Sequence, residues 1–263
     1  MTTVADILKY IETLAPTYMK MDWDNVGLLC GSRETSVTKV LVALDPFEGV
    51  CREAVEWGAE LIVTHHPIIF DPLKSVTEET TVGRSIMTLC RHGVSAVNAH
   101  TNLDCAPGGV NDVLAATLGL KDVETIPPFF RDDQGRQWGL LRRGRVEEQP
   151  LSQFLETVKS SLNAEGLRYV DGGKPVRVVA VGGGHCSDEL MDALDAGCDT
   201  FVTADIKYNE FWDAQALGMN LIDAGHFATE NPVVAVLAEK IAAAFPEVQV
   251  KISETHRDCM KFY

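Results

Sequence analysis

Gly58-Ala59-Glu60-Leu61-Ile62-Val63-Thr64-His65-His66 aligns without a gap with Gly197-Cys198-Asp199-Thr200-Phe201-Val202-Thr203-Ala204-Asp205, much further along the chain. Each copy reads as a glycine, a short apolar strand and a polar pair. The likeness extends outward in both directions. Val37 to Asp45 reads as a strand, followed by a helix from Val50 to Trp57 that Gly58 closes. Val176 to Val181 reads as the matching strand, ending in Gly182-Gly183-Gly184, and Asp188 to Ala196 as the helix that Gly197 closes. Downstream, Ser95-Ala96-Val97-Asn98-Ala99-His100 matches Asn220-Leu221-Ile222-Asp223-Ala224-Gly225-His226, a strand running into a turn and a histidine. A strand–helix–strand–helix–strand unit occurs twice. Such alternation predicts an α/β fold, layered α/β/α with mixed, largely parallel sheets, built by internal duplication.

The spacing predicts a first α/β unit over residues 1–124 and a second over 125–263, with the C-terminal segment packing back on the first. The join, from about Thr125 to Gly173, contains Pro127-Pro128, a hairpin turn at Asp132-Asp133-Gln134-Gly135 and a helix from Ser152 to Leu162. At the other end, Val4, Ile7, Leu8, Ile11 and Leu14 share one face of a helix that Thr3 and Asp6 cap. No apolar run approaches the roughly 20 residues of a membrane span, and no basic region precedes an apolar one at the start, which argues against a signal peptide.

The 263 residues carry a net charge of −15 and a pI near 4.8. Such a chain repels polyphosphate backbones, and its densest basic cluster, Arg142-Arg143-Gly144-Arg145, is short. Duplex nucleic acid is disfavoured as a partner. The seven cysteines are odd in number and form no Cys-x-x-Cys pair. They read as reduced thiols of a cytoplasmic protein.

The chemistry gathers where strands end. His65 and His66 are adjacent, and Pro67 stops their strand. A purely structural strand has little use for two neighbouring imidazoles, whereas the carboxyl end of a strand in an α/β sheet faces the crevice where ligands bind. Asp45 closes the first strand. Asn98-Ala99-His100-Thr101-Asn102-Leu103-Asp104 follows another, and His226-Phe227-Ala228-Thr229-Glu230 a third. On a helix, His226 and Glu230 would share a face and a metal; Pro232 leaves open a loop entering a helix instead. Taken singly, a histidine four residues from a glutamate is an ordinary surface pair, and Asp104 ahead of Gly108-Gly109 an ordinary turn or helix cap. Together, nitrogen and oxygen donors without thiolate suit Zn, Mn, Fe, Ni or Co, and five donors suffice for two divalent ions with open positions. Gly182-Gly183-Gly184 lacks the lysine and serine of a phosphate-binding loop and reads as a tight turn. Trp23 reads as packing on the first helix, Asp24 and Asn25 as turn caps, and His92 as a helix-end cation. His256 lies in the polar tail, and Phe262-Tyr263 reads as docking on the body or on a neighbouring subunit. His185, Asp205 and Lys207 are open between structural and substrate-facing roles.

Four motifs in order carry a resemblance over nearly the whole chain. They are Trp23-Asp24-Asn25-Val26-Gly27-Leu28-Leu29; Thr64-His65-His66-Pro67-Ile68-Ile69-Phe70; His100-Thr101-Asn102-Leu103-Asp104 followed by Gly108-Gly109-Val110-Asn111-Asp112; and Gly225-His226-Phe227-Ala228-Thr229-Glu230. With these the chain resembles the GTP cyclohydrolase I type 2 family, also called the Nif-three-like family of dinuclear metal proteins. The short central connection implies that the inserted domain of long members is absent. The resemblance implies metal ligands at His65, His66, Asp104, His226 and Glu230, serving one dinuclear centre per chain. It implies two intertwined α/β units, a ring-shaped homohexamer and a metal-dependent hydrolase that converts GTP and water to formate and dihydroneopterin triphosphate. His100 then stands as an acid/base group or a support beside the ligands. A hydrolase of another nucleotide, phosphoester or peptide, and a non-catalytic metal carrier or scaffold, are the alternatives.

Overall fold

A computed structural model describes residues 1–133 and 135–263. The chain forms two compact units, each assembled from two stretches: Met1–Leu103 with Val234–Arg257, and Asp104–Val233 with Asp258–Tyr263. The fold is mixed α/β with largely parallel sheets at its centre, as the repeat predicts. Among the described residues no helix is long and apolar enough to cross a membrane.

The first unit holds a five-stranded sheet. Its strands are β1 (Gly27–Cys30), β2 (Lys39–Ala43), β3 (Leu61–Thr64), β4 (Ser95–Asn98) and the C-terminal strand Gln249–Ile252. They lie in the order β1-β4-β3-β2 and then the C-terminal strand. β4, β3, β2 and the C-terminal strand run parallel, and β1 is antiparallel to β4. Leu41, Ala43, Ile62 and Ala96 point to one face and pack with Val50, Cys51 and Ala54 of the helix Glu48–Trp57 and Ile86 and Leu89 of the helix Thr81–Arg91. The alternate residues Val40, Val42, Leu61, Val63 and Val97 are buried too. Strands covered on both faces read as continuous apolar runs, which is why these segments are so legible. Thr3 and Asp6 form the expected capping box on the helix Val4–Leu14.

The second unit holds β5 (Lys121–Thr125), β8 (Arg142–Gln149), β9 (Arg168–Val170), β10 (Val176–His185), β11 (Thr200–Ala204) and β12 (Asn220–Asp223), ordered β5-β8-β10-β11-β12-β9. A separate antiparallel pair, β6 (Phe130–Arg131) and β7 (Gln137–Trp138), lies between β5 and β8 in sequence. The turn expected at Asp132-Asp133-Gln134-Gly135 includes Gln134, which lies outside the described residues. β10, β11 and β12 are parallel, and the outer strands antiparallel. Val179, Val181, Val202 and Ile222 meet Phe154 and Val158 of the helix Leu151–Ser161 in one core. Their neighbours Ala180, Phe201 and Leu221 meet Leu190, Ala193 and Ala214 in another. Helices therefore cover both faces of the sheet, as the two-residue period of its strands requires.

The duplication extends to single hydrogen bonds. Gly58 and Gly197 both close their helices in the left-handed region, at φ 74° and 77°. The backbone N–H of Ala99 donates to the Thr64 carbonyl, and that of Ala224 to Thr203. The carboxylate of Glu60 accepts from the backbone N–H groups of Thr38 and Lys39 at 3.0 and 2.9 Å. Asp199, at the matching place, accepts from Arg177 and Val178 at 3.1 and 2.9 Å. Each acid joins the start of one strand to the start of the next.

Burial raises the Glu60 carboxyl, but the bonds from Thr38 and Lys39 outweigh it and hold it below the ordinary glutamate value of 4.5. A carboxyl held lower in the folded state stabilises that state above its unfolded value, and the benefit disappears as pH falls through the folded one. E60A is expected to destabilise the protein by about 1–3 kcal/mol at neutral pH. In urea unfolding, its deficit against the native protein should shrink as pH drops below about 4.5.

Candidate metal centre

β3 ends at Thr64, so the alternation of a strand no longer governs His65 and His66. The His66 N–H donates to the Leu44 carbonyl, and the Thr64 hydroxyl to the His66 carbonyl, which folds the chain back at Pro67. Both rings then reach one group. His100, just past β4, joins them: a nitrogen from each of the three lies within 4.8 Å of the others. The ring centroid of His100 is 5.2 Å from that of His65 and 5.4 Å from that of His66.

Each ring is held through Nδ1. His65 donates to the Ala99 carbonyl at 2.9 Å, His66 to Asp45 Oδ1 at 2.7 Å, and His100 to Asp24 Oδ1 at 2.8 Å. A carbonyl or carboxylate only accepts, so Nδ1 carries a proton, and Nε2 is the nitrogen left to offer a lone pair to a metal. Burial raises the Asp24 carboxyl, but bonds from His100 and Thr101 outweigh that and bring it down to about 2. Asp24 is thus an anion at neutral pH and a fixed acceptor for His100.

The sequence predicts turn caps at Asp24 and Asn25. Asp24 does accept locally from the Asn25 N–H, but it also reaches across the sequence to His100 and Thr101, and the Asn25 side chain donates to the Ile69 carbonyl at 2.7 Å. Trp23 does not pack into the first helix as expected. It is 63% exposed, with its ring 5.7 Å from that of Phe70 and 6.1 Å from that of His100. Trp23 and Phe70 form an exposed aromatic wall beside the imidazoles.

The second unit holds a cluster of its own, with two buried carboxylates. His226–Glu230 is one turn of helix, which settles the choice between helix and loop. His226 Nε2 lies 3.1 Å from Glu230 Oε2. His226 Nδ1 meets Asp205 Oδ2 at 2.6 Å, so Asp205, at the place His66 takes in the first copy, orients a histidine rather than being one. Burial lowers the His226 imidazole, but Asp205 and Glu230 outweigh it and push it up to about 11. Asp104 and Glu230 are both buried, and their carboxylate oxygens lie within 4.8 Å of each other. Two buried carboxylates so close repel unless a proton or a cation intervenes.

Three supports went unseen in the sequence. Asn111 donates to the carbonyls of Asp104 and Leu140 and accepts from the Gly183 N–H at 2.7 Å, tying the Asp104 turn to β10. Arg142, a buried side chain, donates to the carbonyls of Cys105, Ala106 and Gly139 and pairs with Asp112 at 2.7 Å. It holds the backbone just after Asp104; the sequence showed it only as part of a short basic cluster. The triglycine is not the tight turn expected: it lies within β10, Val176–His185. A Cβ on Gly184 would stand 2.2 Å from Glu230 Oε1 and 3.1 Å from His226 Cε1, at a φ of +62°. The strand lacks a side chain there because Glu230 fills the space. His185 and Lys207 instead share Asp188 on the surface.

The donors fit divalent metal: imidazoles with the tautomer fixed from behind, and buried carboxylates whose repulsion a cation relieves. G184A should displace Glu230. Zinc affinity measured by chelator competition is expected to fall at least about tenfold, the scale seen when a supporting group is lost.

The chain matches the model of the Duf34/NIF3 (NGG1p interacting factor 3) family over residues 2–259. It is 36% identical over 262 residues to the GTP cyclohydrolase 1 type 2 homolog of Clostridium perfringens, covering 98% of each chain. It is 33% identical to the protein of the same name from Clostridium acetobutylicum, again covering 98% of each. A solved Bacillus cereus structure, described as a protein related to NIF3, superposes with a TM-score of 0.92 at 26% identity, covering 100% of this chain and 99% of that one. The motifs, the fold and these matches agree: this chain belongs to the Duf34/NIF3 family.

Proposed function

We propose that His65, His66, Asp104, His226 and Glu230 hold two divalent metal ions, and that the protein is a metal-dependent hydrolase acting on a nucleotide. The observation that carries this reading is the common anchoring of the histidines. His65, His66 and His226 each engage an oxygen through Nδ1, the arrangement that orients imidazole for a metal. When bound, the ions supply Lewis acidity and activate water for attack on an electrophilic carbon or phosphorus.

The chain's own residues supply the rest. His100, held by Asp24, takes or gives a proton at Nε2, and the Asp24 anion stabilises the imidazolium that results. The exposed rings of Trp23 and Phe70 offer a stacking face for a planar base next to His100. The relatives' name, GTP cyclohydrolase 1 type 2 homolog, supports GTP as the substrate and formate as a product. The family resemblance supports a homohexameric ring, and the free cysteines among the described residues support a reducing, cytoplasmic setting.

The test loads the protein with Mn or Zn, measures bound metal, and follows formate release from GTP. The H65A/E230A double variant is expected to lose metal. H100A is expected to keep it while turnover falls about 10²- to 10⁴-fold. Full retention of both ions by the double variant overturns the ligand assignment. Turnover of other nucleotides, phosphoesters or peptides without formate release overturns GTP but keeps the hydrolase. Bound metal with no turnover of any of these overturns the enzyme and leaves a metal carrier.

A further inference from the structure

The end of the chain returns to the imidazole group. The C-terminal strand Gln249–Ile252 pairs in parallel with β2, the strand that leads to Asp45. Beyond it the tail is tied down: the Ser253 N–H donates to the Val42 carbonyl. Glu53 accepts from the hydroxyls of Ser253 and Thr255, both at 2.6 Å, and from the N–H groups of Glu254 and Thr255. The His256 N–H then bonds Ser253 Oγ at 3.2 Å. This places His256 Nε2 2.8 Å from Asp45 Oδ2. The other oxygen of the same carboxylate accepts from His66 Nδ1 at 2.7 Å. The side chain of His256 is only 7% exposed, and its ring meets Phe47 edge to face at 6.0 Å.

We propose that His256 is a positioning residue for the metal site, clamping the Asp45 carboxylate from behind so that Asp45 fixes the ring plane and tautomer of His66. The inference rests on the reading of His66 as a metal ligand. A carboxylate bonded through one oxygen alone can turn about its last side-chain torsion, and its partner turns with it. Bonded through both oxygens to two rings, it has one orientation. Asp45 sets one oxygen against each ring nitrogen, at 2.7 and 2.8 Å, and a carboxylate oxygen accepts. Both rings therefore donate to it, and the lone pair of His66 is confined to Nε2. The loss of such an outer partner weakens metal binding about 10- to 100-fold in comparable sites.

The experiment compares the full-length native protein with H256A, H256Q, E60A and H66A. Long-range ¹H–¹⁵N spectra of the metal-free protein report which nitrogen of His66 carries the proton, and chelator competition gives the zinc affinity. The native protein is expected to show His66 protonated at Nδ1 alone. H256A should show a mixture of tautomers and bind zinc about 10- to 100-fold more weakly. H256Q, whose amide can still donate to Asp45, should recover most of that loss. E60A loses the bonds to Thr38 and Lys39 but keeps the ring pair and the tail anchors, so it should lower the unfolding temperature and leave zinc affinity unchanged. An H256A protein with native zinc affinity and a single His66 tautomer overturns the clamp. Native zinc binding by H66A overturns instead the ligand reading on which the clamp rests, while the His66 tautomer in H256A still decides whether the clamp exists.

Discussion

An imidazole presents a lone pair in a fixed direction only when its other nitrogen is held, and this constraint organises the molecule. His65, His66, His100 and His226 each spend Nδ1 on an oxygen: the Ala99 carbonyl, Asp45, Asp24 and Asp205. Each acceptor needs its own support. Asp24 also takes the Thr101 N–H, and Asp45 also takes His256. Asp205 sits in the left-handed region at φ 52°, a conformation that aspartate tolerates better than most residues. A strained backbone at the residue that aims a histidine is where such strain is expected to concentrate.

The duplicated scaffold makes these positions available without dictating their chemistry. In both copies the same glycine closes the helix, the same acid joins two strand starts, and the same backbone bond leads into the turn after the third strand. What differs is the pair at the end of the middle strand, His65-His66 in one copy and Ala204-Asp205 in the other. The backbone arrangement is set by hydrogen bonds that any residue can make, so the side chains at strand ends are free to diverge. One copy carries three imidazoles, and the other a histidine with buried carboxylates. In the second, Gly183 and Gly184 give up side chains so that Glu230 can lie against the strand.

Much of this was legible in the chain. The repeat, the central strands, the capping box at Thr3 and the helix-closing glycines follow from local pattern. Strands buried on both faces keep apolar centres, with polar residues such as Ser95, Asn98, Asn220 and Asp223 at their ends. The chemical residues stood out because histidines and acids beyond strand ends are hard to explain as core. The misreadings share one cause. Trp23 reads as packing on the first helix, yet it stands exposed beside Phe70 and His100. Asp24, Arg142 and His256 looked like turn, surface and tail because their partners are remote in sequence.

The sequence by itself determined the α/β class, the duplication, the family and the residue types that gather after the strands. These are properties of period, spacing and composition, read within a few turns of chain. Only the tertiary structure decided which acceptor holds each ring, that the triglycine makes room for a carboxylate, and that the last strand returns beside β2 to bring His256 to Asp45. Those outcomes depend on distances between residues far apart in the chain. A hydrogen bond requires atoms within about 3 Å of each other, and no local pattern encodes that.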